Sequence, residues 1–286
     1  MNAHQPTIGI AIIVFHVDGS TLQKQLDRLG KDVCVAIADN TPGERLQLQP
    51  SPNVTYIPLG KNTGIAHAQN VCIHQLIDTF HCSHIVFFDQ DSEFKADYIQ
   101  TIVSEYQKLE QSHPNLCLLG PKVIDKTNGE EYRSVIHKDS ESHGTFAPRR
   151  EIISSGSCIS AQKLQDIGLM DDKLFIDYVD FELCWRAQER GYLNGITSTV
   201  TLPHKVGNRE LKLPHGYKVI ISAPFRYYYQ YRNYLWLLRR HYVPMQWKIA
   251  KGIKLGVRLF YFPFCVKGWK EIESFMWKGI KDGIFK

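Results

Sequence analysis

The sequence predicts an α/β fold with a doubly wound, mostly parallel sheet, followed by a helical, basic and aromatic C-terminal region. Apolar, β-rich runs alternate with helical segments over residues 1–200, the pattern of a parallel sheet covered by helices. The charge then reverses: residues 1–200 carry a net −8, and residues 201–286 carry +13 with 18 of the 33 aromatic residues. We therefore expect an α/β domain over residues 1–215 and a second region over residues 216–286.

Composition narrows the class of protein further. With 43% hydrophobic residues, the 286-residue chain can bury a substantial core. Its seven cysteines form no CxxC and no paired spacing, which favours a reducing compartment and argues against a disulfide framework or a zinc site. We expect no signal peptide ahead of the first strand, near Ile8. No apolar run approaches the roughly 18 residues that a membrane span requires.

The first elements alternate between strand and helix. Strands are predicted at Ile8–Phe15, Val33–Ala38 and Val54–Leu59. A helix capped by Ser20 and ending at Gly30 should connect the first two strands, and another should run from about Ile65 to Phe80. The first strand is followed by HVDGST, which lacks the G-x-G-x-x-G of a dinucleotide-binding turn. We therefore reject a nicotinamide-binding fold.

A short buried strand ends in two carboxylates. Ile85–Phe88 is apolar throughout, as expected of a central parallel strand, and Asp89 and Asp91 follow it. Open α/β sheets bind ligands at the carboxyl ends of their strands. Because two carboxylates this close repel each other, a Mg²⁺ or Mn²⁺ ion that itself holds a diphosphate is a suitable occupant. The alternative is a solvated acidic turn.

Two further strand ends carry polar groups. Asp39 ends the second strand, where its carboxylate can accept a hydrogen bond from the N3–H of a uracil or thymine ring. Asn62 and Gly64 precede a helix amino terminus, where backbone N–H groups can approach a phosphate or a sugar. Taken alone, Asp39 is more simply explained as a turn residue.

The chain continues with less specific signals. A surface helix is predicted at Ala96–Gln111, a strand at Leu116–Leu119 that ends at Gly120-Pro121, a strand or turn at Ile152–Ser160, a helix from Ser160 to Gly168, and a strand at Thr199–Pro203. Residues 125–150 are polar and irregular, and long enough to form a mobile loop over a site. His204 follows the last strand, from which a loop could fold back on the metal.

A second acidic cluster opens a later helix. The helix is predicted from about Tyr178 to Arg190, with Asp177 as its cap. Asp180 and Glu182 lie in its first turns, where carboxylates suit the positive end of the helix dipole. Capping accounts for Asp177 but not for three acids within six residues. One of these acids can serve as a general base.

In combination, these residues resemble the inverting nucleotide-sugar glycosyltransferases of family 2, which have the GT-A fold. The resemblance covers residues 7–210 and rests on Asp39, on NTGIAHAQN from Asn62, on Asp89-Gln90-Asp91, on residues 180–186 and on His204. The chain is most similar to the bacterial rhamnosyltransferases. In these, FFDQDS and IDYVDxELCxR replace the plainer acidic motif and the GEDxDLCxR of other members.

The resemblance implies a role for each matching residue. Asp39 binds the nucleobase, Asp89 faces the ribose and the ion, Asp91 ligates the metal, and Asp180 is the catalytic base. Donor-site candidates are Phe15, Asn62, Gly64, Asn70 and Gln90; His204 is a further ligand of the metal or the diphosphate; and Gly156, Ser157 and Trp185 are candidates for an acceptor site or loop. Val179 and Glu182 depart from the GED pattern, so Asp177 and Glu182 remain alternatives to Asp180 as the base.

The expected activity is metal-dependent, inverting transfer of L-rhamnose from dTDP-rhamnose to a hydroxyl group of a glycan or lipid-linked saccharide in polysaccharide synthesis. Alternatives are a UDP-hexose-dependent transferase of the same fold, a sugar nucleotidyltransferase and a non-enzymatic membrane scaffold. A haloacid-dehalogenase-type phosphoryl transferase is disfavoured. Its motif belongs on the first strand and needs Thr or Val where this chain has Glu93.

The C-terminal region mixes cations with aromatic rings. Tyr227, Tyr231, Tyr234 and Leu238 fall on one side of a predicted helix, with arginines interspersed. Such helices can lie in the headgroup plane of a bilayer without spanning it. We expect association with an anionic membrane surface, on the cytoplasmic face of the cell membrane, rather than binding of nucleic acid. A helical subdomain with solvated arginines is the simpler alternative.

Overall fold

The computed structural model describes residues 7–43, 45–92, 95–125, 144–204, 210–212 and 218–286. Its contacts divide the chain into two compact units. The first comprises Met1–Arg133, Lys138–Phe175 and Val179–His204, and the second comprises Ser134–His137, Ile176–Tyr178 and Lys205–Lys286. The division predicted between residues 215 and 216 stays a prediction.

The first unit is built on a sheet of eight strands. They are β1 (Ile8–Val14), β2 (Val33–Asp39), β3 (Val54–Pro58), β4 (His84–Asp89), β5 (Leu116–Asp125), β6 (Phe146–Pro148), β7 (Cys158–Ser160) and β8 (Leu193–His204). Their order is β3-β2-β1-β4-β7-β5-β8-β6. Strands β3, β2, β1 and β4 are parallel, as are β5 and β8, whereas β7 and β6 pair antiparallel with their neighbours. The predicted α/β fold with a mostly parallel sheet is confirmed.

Helices cover both faces of this sheet. They are α1 (Gly19–Leu26), α2 (Ile65–His74, continued as a π-helical turn Gln75–Thr79), α3 (Ala96–Ser112), α4 (Ala161–Ile167) and α5 (Val179–Glu189). Alternate residues of β1 such as Ile10 and Ile12 pack in one cluster with residues of α1 and α3. On the opposite face Gly9 lies against Leu76, at the end of α2. All seven residues of β1 are buried, because helices flank the strand on both sides.

Two local predictions differ from the structure. Helix α1 is capped by Asp18, not Ser20, because the Asp18 carboxylate accepts a 2.9 Å hydrogen bond from the Thr21 N–H. Strand β5 does not stop at Gly120-Pro121 but continues to Asp125. Beyond Leu119 the described strands show β5 paired with β8 and no longer with β7, so β7 does not need the N–H group that Pro121 lacks.

The helix predicted after Ser160 is present, whereas the loop predicted at residues 125–150 is described only in part. Ser160 caps α4 by accepting from the Lys163 N–H, and the helix ends at Gly168, as predicted. The loop predicted at 125–150 falls largely on residues 126–143, which lie outside the described residues. Of that segment the structure describes β6, an antiparallel neighbour of β8.

The described residues of the second unit form three helices and one pair of short antiparallel strands. These are α6 (Pro224–Leu238), α7 (Met245–Cys265) and α8 (Trp269–Phe285), with β9 (Glu210–Lys212) paired to β10 (Lys218–Ile220). Tyr227 and Tyr231 are buried in its core with Phe262 and Met276. Gly279 of α8 lets the helix approach the backbone of Tyr228, which a Cβ would meet at 2.4 Å. Among the described residues, no helix is long and apolar enough to cross a membrane.

Candidate functional site

The register of the sheet brings three strand ends to one edge. Val14 of β1 lies opposite Asp39 of β2, and Ile13 lies opposite Asp89 of β4. Just beyond β1, the Phe15 N–H donates a 2.6 Å hydrogen bond to the Oε1 atom of Gln90. The Phe15 ring beside this contact is 40% exposed. Phe15, Asp39, Asp89 and Gln90, all candidates from sequence, therefore share the carboxyl edge of the sheet.

Asp39 is held firmly at this edge. It is only 1% exposed, and its two carboxylate oxygens accept from the Thr41 N–H at 2.8 Å and the Tyr56 hydroxyl at 2.6 Å. Burial, and then the hydrogen bond to Asp39, raise the pKa of Tyr56, so the phenol remains a donor. A carboxylate oxygen has further acceptor capacity. The contacts fix the position of Asp39, and its role in nucleobase binding stays a prediction.

Asn40, which the sequence reading did not single out, organises the next loop. Its Oδ1 atom accepts from both the N–H and the hydroxyl of Thr63 at 2.9 Å, and its amide donates to the carbonyl of Gly64 at 3.2 Å. The Gly64 N–H in turn donates to Asn62 at 3.0 Å. The loop of residues 62–64 is thereby tied to the end of β2. The only sequence signal for Asn40 was its place in a polar turn.

Gly64 connects this loop to the segment that precedes the second acidic cluster. It has φ +86°, and a Cβ built there would lie 2.6 Å from atoms of Phe175. The carbonyl of Phe175 also accepts from the Ala66 N–H, in the first turn of α2, at 3.3 Å. The position thus requires glycine for its backbone angle and for its contact with Phe175.

Asn70 has a structural role in these contacts. It is 9% exposed; its amide donates to Met170 O at 2.9 Å and to Asp172 at 2.6 Å, and its oxygen accepts from the Met170 N–H. His67, one turn earlier, lies 2.8 Å from the same Asp172 side chain. Asn70 therefore anchors α2 to residues 170–172. Its assignment to the donor site stays a prediction that these contacts do not support.

The two acids after β4, Asp89 and Asp91, are more exposed to solvent than the residues of β4 that precede them. Asp89 is half-buried, whereas Gln90 and Asp91 are exposed. Two hydrogen bonds fix the backbone of residues 89–92. The Asp89 N–H donates to Ser155 Oγ at 3.4 Å, and the Ser92 N–H donates to the Asp89 carbonyl at 3.0 Å. No group of three His, Cys, Asp or Glu side chains that could hold a metal occurs among the described residues. The side chain of His204, at the end of β8, lies outside them.

The three acids of the second cluster have different surroundings. Helix α5 begins at Val179, so Tyr178 rather than Asp177 adjoins it, and the predicted cap is wrong. The Asp177 carboxylate instead pairs with Arg226, at 2.7 Å from Nη2 and 3.2 Å from Nε. Asp180 is half-buried in the first turn of α5, with one oxygen 2.9 Å from the Phe181 N–H.

Glu182 belongs to a buried ion pair. It is 1% exposed, and its carboxylate oxygens lie 3.0 and 2.9 Å from the Nε and Nη2 atoms of Arg186. The same guanidinium donates to the carbonyls of Ile167, Gly168 and Leu169, at the end of α4. Arg186 thus joins α5 to the C-terminus of α4 and neutralises Glu182. This arrangement gives Glu182 a role in folding.

The candidates for an acceptor site or loop are in the core. Ser157 is 0% exposed and donates to Ser154 O at 2.7 Å, and Trp185 is 1% exposed with its indole N–H 2.7 Å from Glu151. Gly156 is buried at φ +75°, and its carbonyl accepts from the Tyr98 hydroxyl at 2.8 Å. These three residues pack the interior of the first unit, and their assignment to an acceptor site or loop stays a prediction that this burial does not support.

Two curated relatives match most of the chain. It is 32% identical over 255 residues to the dTDP-rhamnosyl transferase RfbF of Shigella flexneri, a match covering 85% of this chain and 83% of that protein. It is 19% identical over 229 residues to the low-salt glycan biosynthesis hexosyltransferase Agl10 of Haloferax volcanii, covering 76% of this chain and 73% of that protein. A search against family models found no match.

Solved structures show the same fold. GalNAc-T7, crystallised with UDP, GalNAc and Mn²⁺, superposes with a TM-score of 0.52 at 9% identity, covering 88% of this chain and 55% of that chain. Residues 1–349 of TarS from S. aureus superpose with a TM-score of 0.51 at 13% identity, covering 96% of this chain and 81% of that chain. The chain spans about half the length of the GalNAc-T7 chain. The predicted GT-A type of fold is confirmed.

We expect Gly64→Ala to destabilise the protein more than Gly60→Ala. Both changes place a Cβ at positive φ, +86° and +69°, but only the first meets another group, because nothing lies within 4 Å at Gly60. A strained backbone costs about 1–3 kcal/mol at either site, the ψ of 164° puts Gly64 in a region open essentially only to glycine, and the collision with Phe175 adds about 1–3 kcal/mol. Urea denaturation of both variants measures the difference. Equal losses would contradict the contact between Gly64 and Phe175.

Replacing Arg186 with Met should lower the free energy of unfolding by about 3–5 kcal/mol, because it removes the guanidinium that pairs with the buried Glu182 carboxylate. Arg190→Met, four residues later at an exposed position, is the matched control and should stay within about 0.5 kcal/mol of wild type. Chemical denaturation followed by circular dichroism compares them. A small loss for Arg186→Met would show that the ion pair does not hold α5 in place.

Proposed function

We propose a function from the premise that the chain belongs to the glycosyltransferase family that includes RfbF of Shigella flexneri. The protein transfers L-rhamnose from dTDP-rhamnose to a hydroxyl group of a glycan or lipid-linked saccharide. This reaction is a step in the synthesis of a cell-surface polysaccharide. The observation that carries the proposal is 32% identity over 85% of the chain. Both curated relatives are named as transferases of sugars, which favours this activity over a nucleotidyltransferase or a scaffold. A UDP-hexose donor is the alternative, since GalNAc-T7 was crystallised with UDP.

The nucleotide occupies the carboxyl edge where β1, β2 and β4 end. The ring of Phe15 is exposed enough to stack on the base, and Asp39 lies on the neighbouring strand within the same edge. Asn62 and Gly64 lie at the amino terminus of α2, where the helix dipole favours negative charge. Gln90 is fixed by its bond to the Phe15 backbone, so its position depends on the β1–β4 pairing.

A divalent ion fits the acid pair. Asp91 is exposed and Asp89 half-buried, so both carboxylates can reach a ligand. Mg²⁺ is usually bound by one or two carboxylates together with substrate phosphates and waters, so a cluster of three protein ligands is not required. When bound, such an ion stabilises the charge on the departing diphosphate as a Lewis acid. His204 is proposed as a further ligand on the basis of the family motif.

Asp180 is the proposed general base. The acceptor hydroxyl must lose its proton as it attacks the anomeric carbon, and a carboxylate on the opposite side of the sugar accepts it. A single displacement of this kind inverts the anomeric centre and needs no protein nucleophile. Glu182 is neutralised by Arg186, and Asp177 is paired with Arg226. Asp180 stands in the first turn of α5, where the helix dipole favours its ionised form.

Helix α7 supports a proposed attachment to a membrane surface. Ile249, Ile253, Val257, Phe260 and Phe264, the apolar row, recur at intervals of three or four residues and are 57–85% exposed. With Gly256 and Tyr261, the last four of them line a shallow apolar groove. A long exposed apolar row on a helix is typical of an interaction surface. The apolar row runs along one side of α7 and is exposed, which suits insertion into the boundary between headgroups and acyl chains.

The charge of the same region favours lipid over a second copy of the chain. Residues 201–286 carry a net charge of +13, so two such surfaces repel each other, whereas an anionic bilayer attracts them. Cations near an anionic surface contribute about 1 kcal/mol each. The partner is therefore an anionic membrane surface, proposed to be the cytoplasmic face of the cell membrane.

We expect Asp180→Asn to retain donor binding while slowing transfer by about 10²–10⁴-fold, the usual contribution of a general base. Asp91→Ala, the comparison variant, should lose metal-dependent donor binding and transfer together, because its carboxylate holds the ion. Release of dTDP in the presence of acceptor measures transfer, and calorimetric titration with dTDP and Mn²⁺ measures binding. Near-normal turnover of Asp180→Asn would remove the assignment of the base.

Phe260→Ser is expected to weaken binding to phosphatidylglycerol vesicles by about tenfold or more, because the burial of one Phe side chain contributes about 1.5–3 kcal/mol. Phe285→Ser is a matched control, since both side chains are 79% exposed and only Phe260 belongs to the apolar row. Co-sedimentation with anionic and with phosphatidylcholine vesicles makes the comparison. Equal losses for both variants, or no vesicle binding by the wild type, would defeat the proposal.

A further inference from the structure

Three consecutive residues just ahead of the proposed base group with the second unit. They are Ile176–Tyr178, whereas the chain up to Phe175 and the chain from Val179 belong to the first unit. Asp180 follows this segment by two residues and lies in the first turn of α5. Contacts that hold residues 176–178 therefore also constrain, along the backbone, the place where α5 begins.

The backbone of this segment is strained. Five non-glycine residues of the described chain have positive φ, and three of them are Phe175, Asp177 and Tyr178, at +65°, +67° and +68°. A bulky side chain at positive φ is an outlier, because its Cβ comes too close to a backbone carbonyl oxygen. Such a conformation persists only where the surrounding structure holds it, and it is found mostly at functional sites.

Asn233 of α6 holds this backbone. The residue is 0% exposed, and its amide nitrogen donates to two successive carbonyls, that of Ile176 at 2.8 Å and that of Asp177 at 3.1 Å. Two turns earlier in α6, Arg226 pairs with the Asp177 carboxylate at 2.7 Å. Helix α6 thus binds the strained segment through its backbone as well as through a side chain.

The orientation of the Asn233 amide follows from its other contact. Its Oδ1 atom accepts from the Nε and Nη2 atoms of Arg232 at 3.0 and 2.8 Å. Because a guanidinium only donates and a backbone carbonyl only accepts, the amide nitrogen has to face the two carbonyls. The Arg232 guanidinium in turn lies over the rings of Trp236 and Tyr229, at 4.2 and 4.8 Å from their centres. Asn233 is therefore fixed as a donor.

We infer that Asn233 is a positioning residue for Asp180, a role that rests on the proposed function of Asp180 as the general base. By donating to the carbonyls of residues 176 and 177, Asn233 keeps the strained backbone in the conformation from which α5 begins. Without these hydrogen bonds the segment relaxes, and the first turn of α5 moves with it. Proton transfer requires close placement of the base, and a misplacement of about 1 Å can slow a reaction by about 10²-fold.

Asn233→Asp removes the donor with little change of shape, because an ionised carboxylate offers the two carbonyls no hydrogen. We expect turnover per folded molecule to fall by about 10–100-fold, with the affinity for dTDP and Mn²⁺ unchanged. Gln230→Glu is the matched control, since Gln230 lies on the same helix, is 6% exposed and hydrogen-bonds to Ser222 and Arg258. It should keep wild-type turnover. Circular dichroism measures the folded fraction of each variant.

Hydrogen exchange of the full chain, followed by mass spectrometry, tests the positioning without an assay of transfer. In Asn233→Asp, residues 176–184 should exchange about tenfold faster, the effect of losing two hydrogen bonds, while α7 and α8 keep their wild-type rates. In Gln230→Glu, residues 176–184 should exchange as in the wild type. If Asn233→Asp leaves residues 176–184 unchanged, or if α7 and α8 change as much, the inference is overturned.

The two assays let this inference and the assignment of the base fail separately. If Asp180→Asn loses transfer while Asn233→Asp keeps it, Asp180 is the base and Asn233 does not position it. If Asp180→Asn keeps near-normal turnover while Asn233→Asp speeds exchange at residues 176–184, Asn233 holds the start of α5 but Asp180 is not the base.

Discussion

The parallel pairing of β1 with β2 on one side and β4 on the other is the constraint on which the candidate site depends. Because Val14 lies opposite Asp39 and Ile13 opposite Asp89, polar groups far apart in the chain reach one edge of the sheet. A slip of one residue would turn each side chain to the other face. The buried side chains of β1 oppose such a slip, since every residue of the strand is covered.

Hydrogen bonds fix the loops that follow the strands at this edge of the sheet. Asn40 fixes the turn of residues 62–64, and Gly64 lies against Phe175, which precedes the second acidic cluster. Two of the three acids in the second cluster form ion pairs with arginines. Arg186 neutralises Glu182 inside the first unit, and Arg226 pairs with Asp177 inside the second. A buried ion pair such as that of Glu182 and Arg186 fixes positions more than it adds stability.

Much of this was readable from sequence because the signals are local. A few neighbouring residues are enough to recognise the apolar run of β4 and the acids that follow it. The same holds for Ser160 as the cap of α4. The partners of other residues cannot be read in this way. Asn70 bonds to residues 100 and 102 positions away, and Asp177 to Arg226 at 49 positions, so their roles depend on the assembled fold. The sequence does not show that Ser157 and Trp185, named as candidates for an acceptor site or loop, are enclosed by the sheet and helices.

The most direct test of the account is a crystal structure grown with dTDP and Mn²⁺, with the ion located by its anomalous scattering. The account predicts a single strong peak beside Asp91, between the carboxylate and the diphosphate, with the thymine ring near Phe15 and Asp39. A nucleotide bound at another edge of the sheet, or an ion remote from both Asp89 and Asp91, would contradict it.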